Sequence, residues 1–177
     1  MSADSRLRPV ESEDVLPLAL MLADPSLVGR RGLHEDRPGP RSVASISRSL
    51  EKLVDPEHGA AWVVEADGIV GLVTSIWWWD ALIPWANVVI DPVRQRQGHG
   101  TAAARAVLDH FFENTPALAV EYAAPSWDAD ALSFADSLGG DRTGIRRREG
   151  VRRGRYFDGV HFALRRSTWE ARHAAGR

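Results

Sequence analysis

The stretch RQRQGHG, residues 94–100, concentrates groups suited to holding an anion. Gly98 and Gly100 stand one residue apart in a basic turn that also carries Arg94 and Arg96. Glycine lets the main chain approach a phosphate with no Cβ in the way. A guanidinium matches phosphate oxygens with a planar fork of donors. The apolar run 86–90, closed by Asp91-Pro92, precedes the turn. Residues 99–113 follow with helical periodicity, placing Ala103, Val107, Leu108, Phe111 and Phe112 on one side. The first turn of a helix has unpaired N–H groups and a partial positive charge. Strand, glycine turn and helix in that order therefore describe a phosphate cradle. The spacing is not the dinucleotide fingerprint, and no lysine completes a GxxxxGK-Ser/Thr loop. The same glycines also suit a plain, tightly packed turn.

The elements that must position this turn are legible on both sides of it. Residues 7–10 predict a short first strand. Ser12 predicts an N-cap, with Glu13 and Asp14 in the first turn and Val15, Leu18 and Leu22 at helical spacing up to Asp24-Pro25. GRRGLHEDRPGP, residues 29–40, is a loop by composition. Val43, Ile46, Leu50 and Leu53 predict a second amphipathic helix. Residues 61–66 and 69–79 are strand-like around Asp67-Gly68, a two-residue hairpin signal. Strands follow at 85–90 and 118–124. A helix over 128–138 ends in Gly139-Gly140, and residues 145–151 and 156–164 make a last hairpin. The order β-α-α-β-β-β-α-β-α-β-β is an α/β sandwich with a mixed central sheet.

In that setting, Gln95-Arg96-Gln97-Gly98-His99-Gly100 matches the Q/R-x-x-G-x-G/A motif, and the chain resembles the GNAT acetyltransferases. Leu7-Arg8-Pro9 with Glu13-Asp14 is similar to the family's opening, and Ser137-Leu138-Gly139-Gly140 to the end of its fourth helix. REGVRRGRYFDGVHFAL, residues 148–164, resembles the closing hairpin of the RimJ/RimL-like subgroup, which acetylates ribosomal-protein N-termini. The resemblance implies a three-layer sandwich with about four helices and a splayed sheet. Acetyl-coenzyme A would be wedged into the splay. The diphosphate would rest on the amides of Gln97, Gly98, His99, Gly100 and Thr101, with Arg94 and Arg96 reaching phosphate oxygens. Backbone groups of Val88, Val89 and Ile90 would pair with the pantetheine arm. His99 would contribute its backbone, its side chain being solvated or packed.

Acetyl transfer needs a neutral amine, a donor for the carbonyl oxygen and a fate for the departing thiolate. The family often uses a carboxylate acting through water as base. Strand 85–90 has none on the face of Trp85, Asn87 and Val89, although Asn87 can hold a water. Glu121, inside the apolar run LAVEYAA, is the candidate base, with an outward-facing strand glutamate as the alternative. The family's tyrosine acid is replaced here by Ala135, beside Phe134. Ser126, Asp128 and Ser133 stand near the places of its usual Asn and Ser. Tyr122 is the remaining donor, on the opposite strand face from Glu121.

On the acceptor side, Trp77, Trp79 and Trp85 could form an aromatic wall for a cation, or serve as core and dimer surface. Asp80 could meet an amine or end a strand. The loop 29–41, carrying His34, Glu35 and Asp36, is expected to be mobile and to close over a small-molecule or peptide amine. Arginines 146, 147, 148, 152, 153 and 155 stripe a solvent face, and Asp158 braces that hairpin.

The bulk composition narrows the classes. The chain has 177 residues, a formal net charge of −2 and no cysteine, so thiolate metal sites and disulfides are excluded. Its 22 basic residues include one lysine, Lys52, a bias that points to a GC-rich bacterial genome. No apolar run approaches a membrane span and no signal core is present. The expectation is one cytoplasmic domain over 1–177, with 168–177 as a tail. It would use acetyl-coenzyme A and no metal, without a membrane or nucleic-acid partner, and a homodimer stays open. Two rival readings are a non-catalytic acyl-coenzyme A binding module and an Arg-rich RNA- or ribosome-associated protein.

Overall fold

The computed structural model describes residues 5–27, 42–54, 59–77 and 82–175. Among these, seven strands form one mixed sheet: β1 (Arg6–Pro9), β2 (Gly59–Ala66), β3 (Gly68–Ile76), β4 (Trp85–Ile90), β5 (Ala119–Pro125), β6 (Asp141–Arg152) and β7 (Arg155–Arg165). The spatial order is β1-β2-β3-β4-β5-β7-β6, and only β4 and β5 run parallel. Five helices accompany it: α1 (Val15–Leu22), α2 (Val43–Val54), α3 (His99–Asn114), α4 (Ala129–Ser137) and α5 (Arg166–Ala175).

The period of two along the strands builds two cores. Ala61, Val63, Leu72 and Val89 turn to one face and meet Leu18, Leu22, Ile46 and Leu50 of α1 and α2. Val64, Val73, Ala86, Val120, Tyr122 and Phe162 turn to the other and meet Val107, Phe111 and Phe112 of α3 and Ala135 of α4. The result is the expected three-layer sandwich.

Local chemistry sets the junctions. Arg8 holds Asp14 through two hydrogen bonds of 2.6 and 2.7 Å, and Asp14 accepts the Glu11 amide at 2.9 Å. This ties β1 to the start of α1, and the Arg8 guanidinium holds the Asp14 carboxyl below the ordinary carboxylate range. Thr115 closes α3 by donating its hydroxyl to the Phe111 carbonyl at 2.6 Å. Arg166 donates to the carbonyls of Phe112, Thr115 and Ala117, placing a cation at the negative end of α3.

The structure differs from the sequence expectation at three places. The last ten residues were expected as a tail, but Arg166–Ala175 is a fifth helix. It is mostly exposed, so its apolar pattern is weak, and Trp169 anchors it on Phe112 while donating to Asp109 at 2.9 Å. The strand expected over 69–79 ends at Ile76, ahead of Trp77. The Asp67-Gly68 turn is tighter than a two-residue loop. Ala66 pairs with Gly68, with only Asp67 at the tip and a bulge at Val64/Glu65 taking up the register.

Candidate active site

The sheet opens between β4 and β5. Trp85 and Glu121 are the single residue pair that bridges these strands, supported by a bond from the Glu121 amide to the Pro84 carbonyl at 2.9 Å. From Ala86 onward the β5-facing edge of β4 has no strand partner among the described residues, while its other edge pairs with β3 from Gly71 to Ile76. A cleft of about 440 Å³ fills the gap. Its walls come from both faces of the sheet: Leu27, Asn87, Val89 and Ala123 from one side, Ala86, Val88, Ile90, Tyr122 and Phe134 from the other. The cleft therefore passes through the sheet.

The glycine turn lies at one mouth of this cleft. Gly98 caps α3 with φ +90°, a left-handed conformation that favours glycine, and Arg96 also has positive φ, +63°. The first intrahelical bond of α3 runs from the Ala102 amide to the Gly98 carbonyl at 3.0 Å. The amides of His99, Gly100 and Thr101 thus have no intrahelical acceptor. Gly98, Gly100 and Thr101 all line the cleft. A Cβ at Gly100 would touch only Ile90 Cγ1 at 3.5 Å and Phe134 at 3.9 Å. The protein's own packing does not demand glycine there, and the space it leaves belongs to the cleft.

The other residues of the motif divide. Gln95 lines the cleft and donates to the Ile90 carbonyl at 3.0 Å, fixing the turn to the end of β4. Arg96 reaches across the mouth to Asp130 in the first turn of α4, 2.5 Å away. Both partners are exposed, so the pair is weak and free to exchange for another anion. The Arg94 guanidinium lies 3.5 Å from the Asp67 carbonyl, and Arg94 is not among the residues lining the cleft. Gln97 bonds back to Val93 at 3.4 Å. The His99 ring is buried, with Nδ1 3.3 Å from the Ser5 hydroxyl.

The expected proton-transfer residues are placed less favourably. Glu121 sits where β4 and β5 are still joined, at the closed end of the gap, and its side chain is not part of the cleft wall. The Tyr122 hydroxyl is committed to backbone: it donates to the Ala135 carbonyl at 3.2 Å and accepts from the Gly140 amide at 3.0 Å. Its ring stacks on Phe162, and burial pushes the phenol above its ordinary range. In place of a free acid, Tyr122 pins the end of α4 to the sheet. Asn87 lines the cleft. Asp128 is the N-cap of α4, accepting the Ala131 amide at 3.2 Å.

Trp77 and Trp85 do not share a wall. Trp77 lies edge-on to Phe111 on the α3 face, with ring centroids 6.4 Å apart. Trp85 lies on the opposite face, edge-on to His161 at 5.2 Å. His34, Glu35, Asp36, Trp79 and Asp80 lie outside the described residues.

Beside Trp85 is a pair that no sequence spacing announced. His161 of β7 places Nε2 2.8 and 2.9 Å from the two carboxylate oxygens of Glu149, whose side chain is 2 % exposed. A bulge creates the contact. Between Arg146 and Gly150, three residues of β6 stand against Asp158 alone on β7. Arg148 takes φ +55° and its amide donates to Asp158 at 2.9 Å, so Asp158 braces the hairpin through backbone rather than through an arginine side chain. Glu149 then folds over Gly159, where a Cβ would overlap its carboxylate. A lone histidine in the apolar run GVHFAL was the available signal, without a hint of its partner.

Against known families, residues 5–140 match the acetyltransferase (GNAT) domain. The chain belongs to the GNAT acetyltransferase family. It is thus an acyltransferase, and its seven-stranded mixed sheet flanked by helices matches the fold of solved GNAT structures. Solved GNAT structures share the fold. A spermidine N-acetyltransferase from Vibrio cholerae, in complex with coenzyme A and spermine, superposes with a TM-score of 0.82 at 17% identity, covering 96% of this chain and 99% of that one. A GNAT-family acetyltransferase from Bacillus anthracis gives 0.77 at 13% identity, covering 94% and 98%. No curated protein matches in sequence. Among the described residues no helix is long and apolar enough to cross a membrane, and no cluster of three or more His, Asp or Glu side chains could hold a metal ion.

Proposed function

We propose that this GNAT protein transfers an acetyl group from acetyl-coenzyme A to a primary amine by direct attack in a ternary complex. The observation that carries the proposal is a cleft through the sheet with three amides of a helix start at its mouth. The amides of His99, Gly100 and Thr101, with Arg96 released from Asp130, would hold the diphosphate. The unpaired edge of β4 from Ala86 to Ile90 offers N–H and C=O groups to an extended amide chain, as a sheet edge does to an added strand. Bound there, the co-substrate supplies an activated thioester. A free amide near Val89 or Ile90 stabilises charge on the acetyl oxygen. The rest is positioning: two sides of one sheet present donor and acceptor to each other, which supplies much of the barrier reduction.

The acceptor is a protein N-terminus or a small amine. The β6–β7 hairpin favours the first through its RimJ/RimL-like sequence, and the fold's likeness to spermidine acetyltransferases favours the second.

Thermal shift with acetyl-coenzyme A, coenzyme A and ATP tests the binding step. Stabilisation by the first two and none by ATP is expected, and no shift with either coenzyme overturns the reading. Free-thiol release with spermidine, tyramine and a short peptide with a free N-terminus tests transfer. Binding without release for any amine would identify the non-catalytic module instead.

A further inference from the structure

We infer that His161 is the base that takes the acceptor's proton, and that Glu149 is its positioning residue. The inference rests on the acetyl-transfer reading above and fills the place that Glu121 and Tyr122 leave vacant.

Three observations carry it. The first is location. His161 pairs with Ala123 of β5, and Ala123 is a cleft-lining residue just past the Trp85–Glu121 pair where the sheet splits. Directly paired side chains lie about 5 Å apart on one face. His161, like Glu121, is not itself a cleft-lining residue; it stands one strand behind Ala123, on the same sheet face. Trp85 packs edge-on to the ring from the β4 side, leaving the histidine side chain 19 % exposed.

The second is tautomer. A carboxylate only accepts hydrogen bonds. Both Glu149 oxygens face Nε2, so Nε2 carries the proton in a neutral ring and Nδ1 keeps its lone pair. Among the described residues Nδ1 has no hydrogen-bond partner. A carboxylate behind a histidine, fixing its tautomer, is the arrangement by which imidazoles are oriented as bases.

The third is construction. Glu149 is buried, reached through a two-residue bulge, and accommodated by a glycine that leaves room for its carboxylate. A surface salt bridge requires none of this. Charged groups on neighbouring positions include Arg146 on β6, 3.4 Å from Glu149, Glu121 two residues from Ala123 on the same face of β5, and Asp141 of β6, which stands opposite Ala163 and pairs with Arg165.

The step balances. The amine arrives as ammonium and gives one proton to Nδ1. Its lone pair then forms the C–N bond to the acetyl carbon. The C–S bond breaks with its electrons on sulfur, and the second N–H proton ends on that sulfur as thiol. His161 returns its proton to solvent.

His161→Gln keeps an amide donor near the Nε2 position, toward Glu149, and removes the Nδ1 lone pair. The test uses the full chain with acetyl-coenzyme A and whichever amine of the panel is turned over. The variant is expected to keep its Tm and its affinity for acetyl-coenzyme A. Its kcat should fall by about 100-fold or more, and its pH profile should differ from that of wild type. Imidazole added to His161→Ala should restore part of the rate. Glu149→Gln should lower kcat by roughly tenfold with KM little changed. In the free protein, 15N spectra of the ring should show the proton on Nε2. A kcat within twofold of wild type, an unchanged pH profile, or a proton on Nδ1 overturns the assignment. Loss of acetyl-coenzyme A binding together with Tm in both variants makes the pair structural, and also overturns it. Absence of any binding by wild type would instead sink the acetyl-transfer reading.

Discussion

The two sides of the cleft are built in different ways. The β4–α3 side is contiguous: a strand, a glycine turn and a helix start within residues 85–101, and its functional groups are main-chain amides. The β5–β7–β6 side is assembled from segments far apart in sequence, and its side chains meet through strand register: Ala123 beside His161, His161 against Glu149, Trp85 across the face. Backbone chemistry tolerates almost any side chain as long as φ and ψ are right. Side-chain chemistry tolerates almost any local sequence as long as the register is right.

That contrast can be broken first on the backbone side. Gly98→Val forces a β-branched residue to φ +90°, at a cost of about 1–2 kcal/mol, and narrows the cradle. Acetyl-coenzyme A affinity should fall by roughly 100-fold or more, beyond what strain alone costs; titration calorimetry beside chemical denaturation separates the two effects. On the side-chain side, Gly159→Ala should push Glu149 out from under the hairpin and cost about 2–3 kcal/mol of stability, read by denaturation, while acetyl-coenzyme A affinity per folded molecule stays near wild type.

Smaller changes sharpen the comparison. Gly100→Ala fits the protein's own packing, so Tm should hold while affinity for acetyl-coenzyme A drops by about tenfold, a purely ligand-side effect. Tyr122→Phe removes the hydroxyl that joins Ala135 to Gly140 and should cost about 1 kcal/mol, measured as a lowered denaturation midpoint. The smallest effect is in pH. Asp14 has a folded-state pKa below its unfolded value of 3.8, so its pairing with Arg8 contributes stability above that value and loses it as pH falls through the lower, folded-state value. Arg8→Met should therefore raise the midpoint of acid unfolding, followed by circular dichroism.

The legibility of the molecule follows the same division. The strand Trp85–Ile90 and the start of α3 at His99 coincide with the sequence expectation, because apolar alternation, Asp91-Pro92 and two glycines mark them locally. Gly139-Gly140 at the end of α4, with Gly139 at positive φ, was an equally local signal; that Asp128 caps the helix start was not read from the sequence. Glu121 and Tyr122 were read correctly as facing opposite sides of β5, yet their roles were not legible. Whether a carboxylate reaches a cleft depends on where β4 and β5 part, and that point is set by Pro84, Trp85 and Glu121 together. Whether a phenol is free depends on Gly140, 18 residues away. Arg94 and Trp77 were assigned from the sequence around them; Arg94, at the end of a 3-10 turn, points to Asp67, and Trp77 packs against Phe111.

By itself, the order of residues determined the first four helices, the strand order along the chain, the glycine turn ahead of α3 and hence the resemblance to the family, because these follow from hydrophobic period and backbone sterics over a few neighbouring positions. Tertiary structure alone decided that β4 and β5 separate after one pair, that Tyr122 is bound to backbone, and that Glu149 lies against His161. Those facts depend on which strands pair and in what register. A bulge of two residues changes what a side chain faces without changing the local pattern that produced the strand.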